Sequence, residues 1–177
     1  MRGVTHPGGR FLPRRSRRRK VFFSALLILS IMLFSILVAR VISANTVRLS
    51  IRPQLSVLIE GAPFTIPSGV GINQSLWRDH SLDNYGVSGQ SPLTTRDSSG
   101  IIFLESNTIR DFTLREFLAI WGQTVDDSQV VGNPVPSGDS SCMAVNGQTL
   151  PTLQDVVLSD NEKILLEIVR GDCSAVS

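Results

Sequence analysis

The feature that most constrains this chain is an apolar run from Val21 to Ala39, VFFSALLILSIMLFSILVA, which holds nineteen residues and no charge. As an α-helix with a rise of 1.5 Å per residue it would be roughly 28 Å long, close to the hydrocarbon thickness of a bilayer. A block of cations precedes it: Arg14, Arg15, Arg17, Arg18, Arg19 and Lys20. The apolar run therefore predicts a single-pass, lipid-embedded helix in the cell membrane. Lys and Arg beside a spanning helix stay in the cytoplasm, so the cations predict its orientation. The N-terminus would be cytoplasmic and the C-terminal part extracytoplasmic.

The same run admits a second interpretation as a cleaved signal peptide, since the small residues Ser43 and Ala44 follow Ile42. Signal peptides have apolar regions of about 7 to 15 residues, shorter than this one, so an anchor is favoured. We therefore expect a disordered basic cytoplasmic tail over residues 1–20, a transmembrane helix over residues 21–42 and an extracytoplasmic domain over residues 43–177. A basic segment that adjoins a spanning helix normally lies on anionic lipid headgroups, so no nucleic-acid partner is expected.

Charge is divided unevenly along the chain. Residues 1–20 hold eight cations and no acid, whereas residues 43–177 hold eight cations and all fifteen acids, which gives +8 against −7. The roughly 135 outer residues suffice for one domain with a buried core. Their two cysteines, Cys142 and Cys173, either pair in an oxidising exterior or remain separate thiols.

Alternating apolar and polar residues predict β-strands in the outer domain. The clearest alternation is Thr46 to Arg52, and Pro53 then ends that strand or keeps it at a sheet edge. A hairpin is expected around the turn Glu60-Gly61, with the strand Leu55–Ile59 before it and a short return strand over Phe64–Pro67. Two further strands are predicted, Ile101–Leu104 and Lys163–Val169, the latter central in the sheet.

Two local signals are stronger than the rest. Thr113 and Glu116 form a capping box, which predicts a short helix that ends at Gly122. Asn146-Gly147 accepts the positive φ angles of a type I′ turn, so Cys142–Leu150 should form a hairpin. Together these elements predict an α+β domain in which a mostly antiparallel or mixed sheet packs on one helix, in β-grasp fashion.

The segment Ser68–Ser99 differs from the rest, with four glycines and polar stretches such as WRDHSLDNYG. Some thirty residues without a long element point to a functional loop or an irregular cap in a compact domain. Asn73 begins an N-x-S sequon in this segment, so glycosylation is expected where the host has the machinery.

Catalytic constellations are not evident. Outside the predicted span and tail the sequence has a single histidine, His80, so a Ser or Cys nucleophile lacks an obvious base, and no phosphate-binding glycine loop follows a strand. We predict no enzyme activity and no cofactor. For a metal, the candidate ligands are His80 with Asp79, and Asp97 with Glu105, although one imidazole is few for a transition-metal site.

Several stretches resemble an uncharacterised family of prokaryotic extracytoplasmic proteins that is common in ammonia-oxidising archaea. The chain reads IPSGVGI, PLTTRDSSGIIFLES and FTLREFLAIWG, where the family has I-P-A-N-I-G-I, P-L-H-T-H-D-x-S-G-I-I-H-x-E-S and F-T-L-G-x-F-F-D-I-W-G. The family's histidines, which suit a metal such as copper, fall here at Gln54, Thr94, Arg96 and Phe103. The resemblance implies that this chain has the family's scaffold. Of the family's candidate metal-binding residues in these stretches, only Asp97 and Glu105 are kept here.

Two functions of different class follow. The favoured hypothesis is a membrane-tethered domain that binds another protein or assembles in the cell envelope through the Ser68–Ser99 surface. The alternative is a metal-binding or metal-handling module with a reduced or lost site.

Overall fold

The computed structural model describes residues 15–175, in two compact units that divide the chain after Ile42. The first unit is a helix, α1 (Arg15–Ala44), so the last six residues of the expected tail are helical. Arg and Lys are good helix formers, and the helix therefore continues outward from the apolar run. The rest of the tail, residues 1–14, lies outside the described residues.

Residues Val21–Ile42 of α1 form one apolar stretch of 22 residues, none of it buried within the molecule. At 1.5 Å per residue it measures about 33 Å, which is long enough to cross a bilayer. A helix in the core of a soluble protein would be mostly buried. By length, composition and exposure, α1 is a candidate membrane span.

The second unit, residues 43–177, is an α+β fold. Its elements in chain order are β1 (Leu49–Ile51), β2 (Gln54–Ile59), β3 (Ala62–Phe64), β4 (Leu93–Thr94), β5 (Phe103–Ser106), α2 (Leu114–Trp121), β6 (Val125–Asp126), β7 (Gln129–Val130), β8 (Asn133–Pro134), β9 (Asp139–Val145), β10 (Gln148–Thr149) and β11 (Lys163–Arg170).

A five-stranded mixed sheet, in the order β10-β9-β11-β2-β3, forms the centre of this unit. The last strand, β11, is central as predicted, antiparallel to β9 and parallel to β2. The first and last strands of this sheet along the chain, β2 and β11, therefore form a parallel pair. On one side β3 pairs with β2, and on the other the β9-β10 hairpin pairs with β11, which is the β-grasp arrangement. Both hairpins turn where the sequence predicts, with positive φ at Glu60 and Gly61 and at Asn146 and Gly147.

The capping box that starts α2 is confirmed. The Thr113 hydroxyl accepts from the Glu116 N–H and the Glu116 carboxylate accepts from the Thr113 N–H, while Gly122 ends the helix in the left-handed conformation. Such a cap contributes about 1 kcal/mol. The helix buries Phe117 and Trp121, whose indole lies 6.3 Å from the Phe64 ring of β3.

The core lies on one face of the sheet, because alternate strand residues point to opposite faces. Leu55 and Val57 of β2 and Ile164, Leu166 and Ile168 of β11 are buried in the same cluster as the apolar face of α2. The opposite face carries a smaller cluster around a disulfide. Cys142 of β9 bonds to Cys173 with a Cα–Cα distance of 5.6 Å, so the two cysteines pair.

The remaining strands form two small sheets. β1 lies at an edge of the sheet β1-β5-β4, which agrees with the position predicted from Pro53, and β5 begins at Phe103, two residues later than expected. The stretch after Gly122 contains the short sheet β6-β7-β8. Its first turn is closed by Asp126, whose carboxylate accepts from the N–H groups of Ser128 and Gln129. A turn that is closed by a side-chain hydrogen bond cannot be predicted from the periodicity of apolar residues.

Ser68–Ser99 is irregular, as predicted, with short 3₁₀ turns at Gln74–Leu76 and Asp83–Tyr85 before β4. It is nonetheless packed on the core, since Val70 and Leu93 have 0% exposure. The segment is therefore an irregular cap with a fixed shape.

Candidate protein-binding face

The four positions at which the resemblance would place histidines lie close to one another, around strand β5 and the residues just before it. Thr94 of β4 is the cross-strand partner of Phe103 of β5, and Gln54 forms a bridge with Ile101 just before that strand. Arg96 follows β4, and its guanidinium lies 4.3 Å from the centroid of the Phe103 ring. Thr94, Arg96 and Phe103 are therefore neighbours in the fold, and Gln54 lies beside Ile101.

At the centre of this group is the aromatic ring of Phe103, which has two arginine guanidiniums over it. The Arg52 guanidinium lies 5.3 Å from the Phe103 ring centroid, in addition to that of Arg96. Arg96 also donates to the Glu105 carboxylate at 2.9 Å. A guanidinium on an aromatic face contributes about 0.5 to 1 kcal/mol at an exposed site. These contacts fix the orientation of Phe103, which is only half-buried.

The residue before β1 adds a third arginine, Arg48. Side chains two residues apart on a strand share a face, so Arg48 lies on the same side as Ser50 and Arg52. All three are exposed. Within the described residues neither Arg48 nor Arg52 has a carboxylate within ion-pair distance. We call Arg48, Arg52, Arg96 and Phe103, with Glu105, the arginine face.

Two acids near this face are engaged locally. Asp97 accepts from the N–H and hydroxyl of Ser99, and the hydroxyl bond, followed by the N–H bond, holds the pKa of Asp97 below its ordinary value. Asp160 accepts from the backbone N–H of Arg52 at 2.9 Å, which ties the β1 end to the turn before β11. The two arginines that flank β1, Arg48 and Arg52, present guanidiniums that no described carboxylate pairs with.

The metal-ligand candidates are not gathered into one site. His80 bonds through Nδ1 to Asp83 at 3.0 Å and packs on Trp77, with the rings 4.9 Å apart. Asp79 accepts from the Ser81 N–H, and Glu105 is paired with Arg96. Between residues 15 and 175, no group of three or more His, Cys, Asp and Glu side chains is placed to hold a metal ion.

The sequon residue Asn73 is exposed at the start of the 3₁₀ turn Gln74–Leu76. Its side chain is open to modification, and glycosylation there stays a prediction.

The arrangement at Phe103 was only partly visible in the sequence. The alternation through Thr46–Arg52 predicted that Arg48 and Arg52 share a face. Phe103 lies in an apolar run that predicted a buried strand, and its half-exposed ring depends on the pairing of β5 with β1 and β4. No local signal predicts that pairing.

No family model, curated protein or solved structure matches this chain.

Proposed function

We propose that this chain is a single-pass membrane protein whose folded unit lies outside the cytoplasm and binds another protein through the arginine face. The apolar helix α1 supplies the anchor, and its preceding cations favour a cytoplasmic N-terminus. The Cys142–Cys173 bond supports an oxidising compartment for the folded unit, since disulfides are rare in the cytosol.

The observation that carries the proposal is the half-buried Phe103 ring, which has two guanidiniums beside it. Arg and aromatic side chains are enriched at the energetic centres of protein interfaces. Here they are held in place before binding, because Arg96 is fixed by Glu105 and the ring is fixed by both arginines. Less rotamer entropy is then lost on association.

The charges on this face define the partner. Arg48 and Arg52 offer guanidiniums, which bind carboxylates by paired hydrogen bonds. A partner that suits the face presents acids around an apolar depression that receives the Phe103 ring. Truncation of a residue at an interface centre typically costs 2 kcal/mol or more, so Phe103→Ala should weaken binding by about 30-fold.

The test is site-specific photo-crosslinking in intact membranes that contain the full-length chain. A photoreactive phenylalanine analogue replaces Phe103 in one variant and exposed Gln148, at the far edge of the five-stranded sheet, in a matched control. Position 103 should give a discrete protein adduct that position 148 does not give, and Arg48→Gln with Arg52→Gln should reduce it. The proposal is wrong if position 103 gives no adduct, or the same adducts as position 148.

A further inference from the structure

The folded unit carries a second concave surface, formed by α2, β9 and the chain between β10 and β11. It consists of two cavities of about 300 and 350 Å³ that share Met143 and Leu153. Leu114 and Leu118 of α2 line the first cavity and Leu150 lines the second. The first cavity therefore has an apolar floor with room for a large side chain such as a phenyl ring, whereas the second cavity is lined mainly by polar atoms.

The rim of this surface is acidic. Asp126 and Asp155 line the first cavity, and Asp127 and Asp139 line the second. The one cation among the residues that line either cavity is Arg115, whose Nε lies 3.8 Å from the Asp155 carboxylate. We call the two cavities and these four aspartates the acidic groove.

Two of the four rim carboxylates, Asp127 and Asp139, are available for pairing. The Ser128 hydroxyl, followed by the Ser128 N–H, lowers the pKa of Asp126, so this group is ionised at neutral pH. Within the described residues Asp127 and Asp139 form no ion pair. Arg170 is the cross-strand neighbour of Asp139 but lines neither cavity.

The acidic groove complements the arginine face in charge. The face has a half-buried ring and two arginines, Arg48 and Arg52, with no described carboxylate partner, and the groove has an apolar first cavity with carboxylates around both cavities. Ion pairs that link two such surfaces steer association and fix its orientation.

Arg52 and Asp139 lie towards opposite ends of the sheet. Gln54, two residues after Arg52, pairs with Lys163 at the start of β11, whereas Asp139 pairs with Arg170 at its end. Seven residues of strand at about 3.3 Å each separate these ends by roughly 23 Å. Arg52 and Asp139 therefore cannot meet within one molecule, but can meet between two copies.

We infer that the partner of the arginine face is a second copy of this chain, whose acidic groove receives Phe103 and whose Asp127 and Asp139 pair with Arg48 and Arg52. This inference rests on the proposed function and names its partner. Because the face and the groove are different surfaces, the contact is head-to-tail and produces rings or open rows. Copies anchored in one membrane present both surfaces on the same side of it.

Reciprocal charge reversal in the full-length chain, purified in detergent and in nanodiscs, tests the inference. One variant carries Arg48→Glu and Arg52→Glu, so its face and its groove are both acidic. The other carries Asp127→Arg and Asp139→Arg, so both are basic. We expect each variant alone to lose self-association at least tenfold, and a mixture of the two, with different tags, to assemble and co-purify.

A matched control is Arg78→Glu, which reverses an exposed charge outside both surfaces and should assemble like the unmodified chain. Raising the salt concentration from 50 to 500 mM should weaken assembly of the unmodified chain, because salt screens exposed ion pairs. Tryptophan fluorescence verifies that every variant is folded.

Several results would overturn the inference. An unmodified chain that stays monomeric at micromolar concentration, charge-reversed variants that assemble alone, or a mixture that does not assemble would each do so. If position 103 then crosslinks to a different protein, the proposed function survives without this partner. If position 103 crosslinks to nothing, both fail together.

Discussion

Reduction of the Cys142–Cys173 bond should destabilise the folded unit by a calculable amount. The bond joins residues 31 positions apart. In the chain-entropy account, a loop of this length removes enough freedom from the unfolded chain to stabilise the fold by about 3 to 4 kcal/mol. With an unfolding entropy near 2.1 cal/mol/K per residue over about 135 residues, this corresponds to a fall in Tm of about 10 to 14 °C.

Intrinsic tryptophan fluorescence of the full-length chain in detergent is the appropriate assay. Trp77 and Trp121 are the two tryptophans, and both belong to the folded unit, so α1 does not contribute to the signal. Urea and thermal unfolding are measured with and without a reductant, and the thiols are counted by alkylation. A variant with Cys142→Ala and Cys173→Ala serves as control and should not respond to the reductant.

The reasoning would be refuted if complete reduction changed the free energy of unfolding by less than about 1 kcal/mol. Such a result would mean that the unfolded chain is already confined in this region. The buried side of the bond makes reduction of the native state slow, because Cys142 is only 1% exposed. Unfolding must therefore be brought to equilibrium in the presence of the reductant.

Three further predictions use the same fluorescence assay. Thr113→Ala should lower the free energy of unfolding by about 1 kcal/mol, whereas Thr113→Ser, which keeps the acceptor of the capping box, should lower it less. Gly89→Ala should lower the free energy of unfolding by about 1 kcal/mol, because Gly89 has a positive φ angle. Gly100 also has a positive φ angle, and a Cβ there would in addition clash with the backbone oxygen of Leu55. Gly100→Ala should therefore lower the free energy of unfolding by at least twice as much. Hydrogen bonds from neighbouring serines lower the pKa values of Asp97, Asp126 and Asp172 in the folded chain. The contribution of these groups to stability is therefore complete above their ordinary pKa of 3.8. It is lost as the pH falls through their lower folded pKa values. Exchange of all three for Asn should therefore flatten the decline in stability below about pH 4, and an unchanged decline would contradict this assignment.

Elements set by neighbouring residues were accessible from the sequence. The capping box at Thr113 and the turn Asn146-Gly147 each depend on a few adjacent side chains and backbone angles, and both were predicted at the right positions. The apolar run was predicted too, although the helix is longer than the run, because helix-forming cations extend it to Arg15.

Pairings between distant residues were not accessible in the same way. β1 pairs with β5, which joins Leu49 to Ser106, and β2 pairs with β11, which joins Gln54 to Lys163. Periodicity shows that a strand has a buried face but does not identify the strand beside it. The arginine face depends on the first of these pairings and the separation of face and groove depends on the second, so both surfaces became visible only in the fold.

The account depends most on the folded unit lying outside a membrane that α1 crosses, and labelling with a membrane-impermeant maleimide tests this directly. Ser16→Cys and Gln148→Cys are introduced separately into the full-length chain, whose own cysteines are paired. In intact cells we expect position 148 to be labelled and position 16 to be labelled only after lysis, with both on a chain of undiminished mass. Labelling of position 16 but not position 148 in intact cells, or loss of residue 16 from the mature chain, would contradict the account.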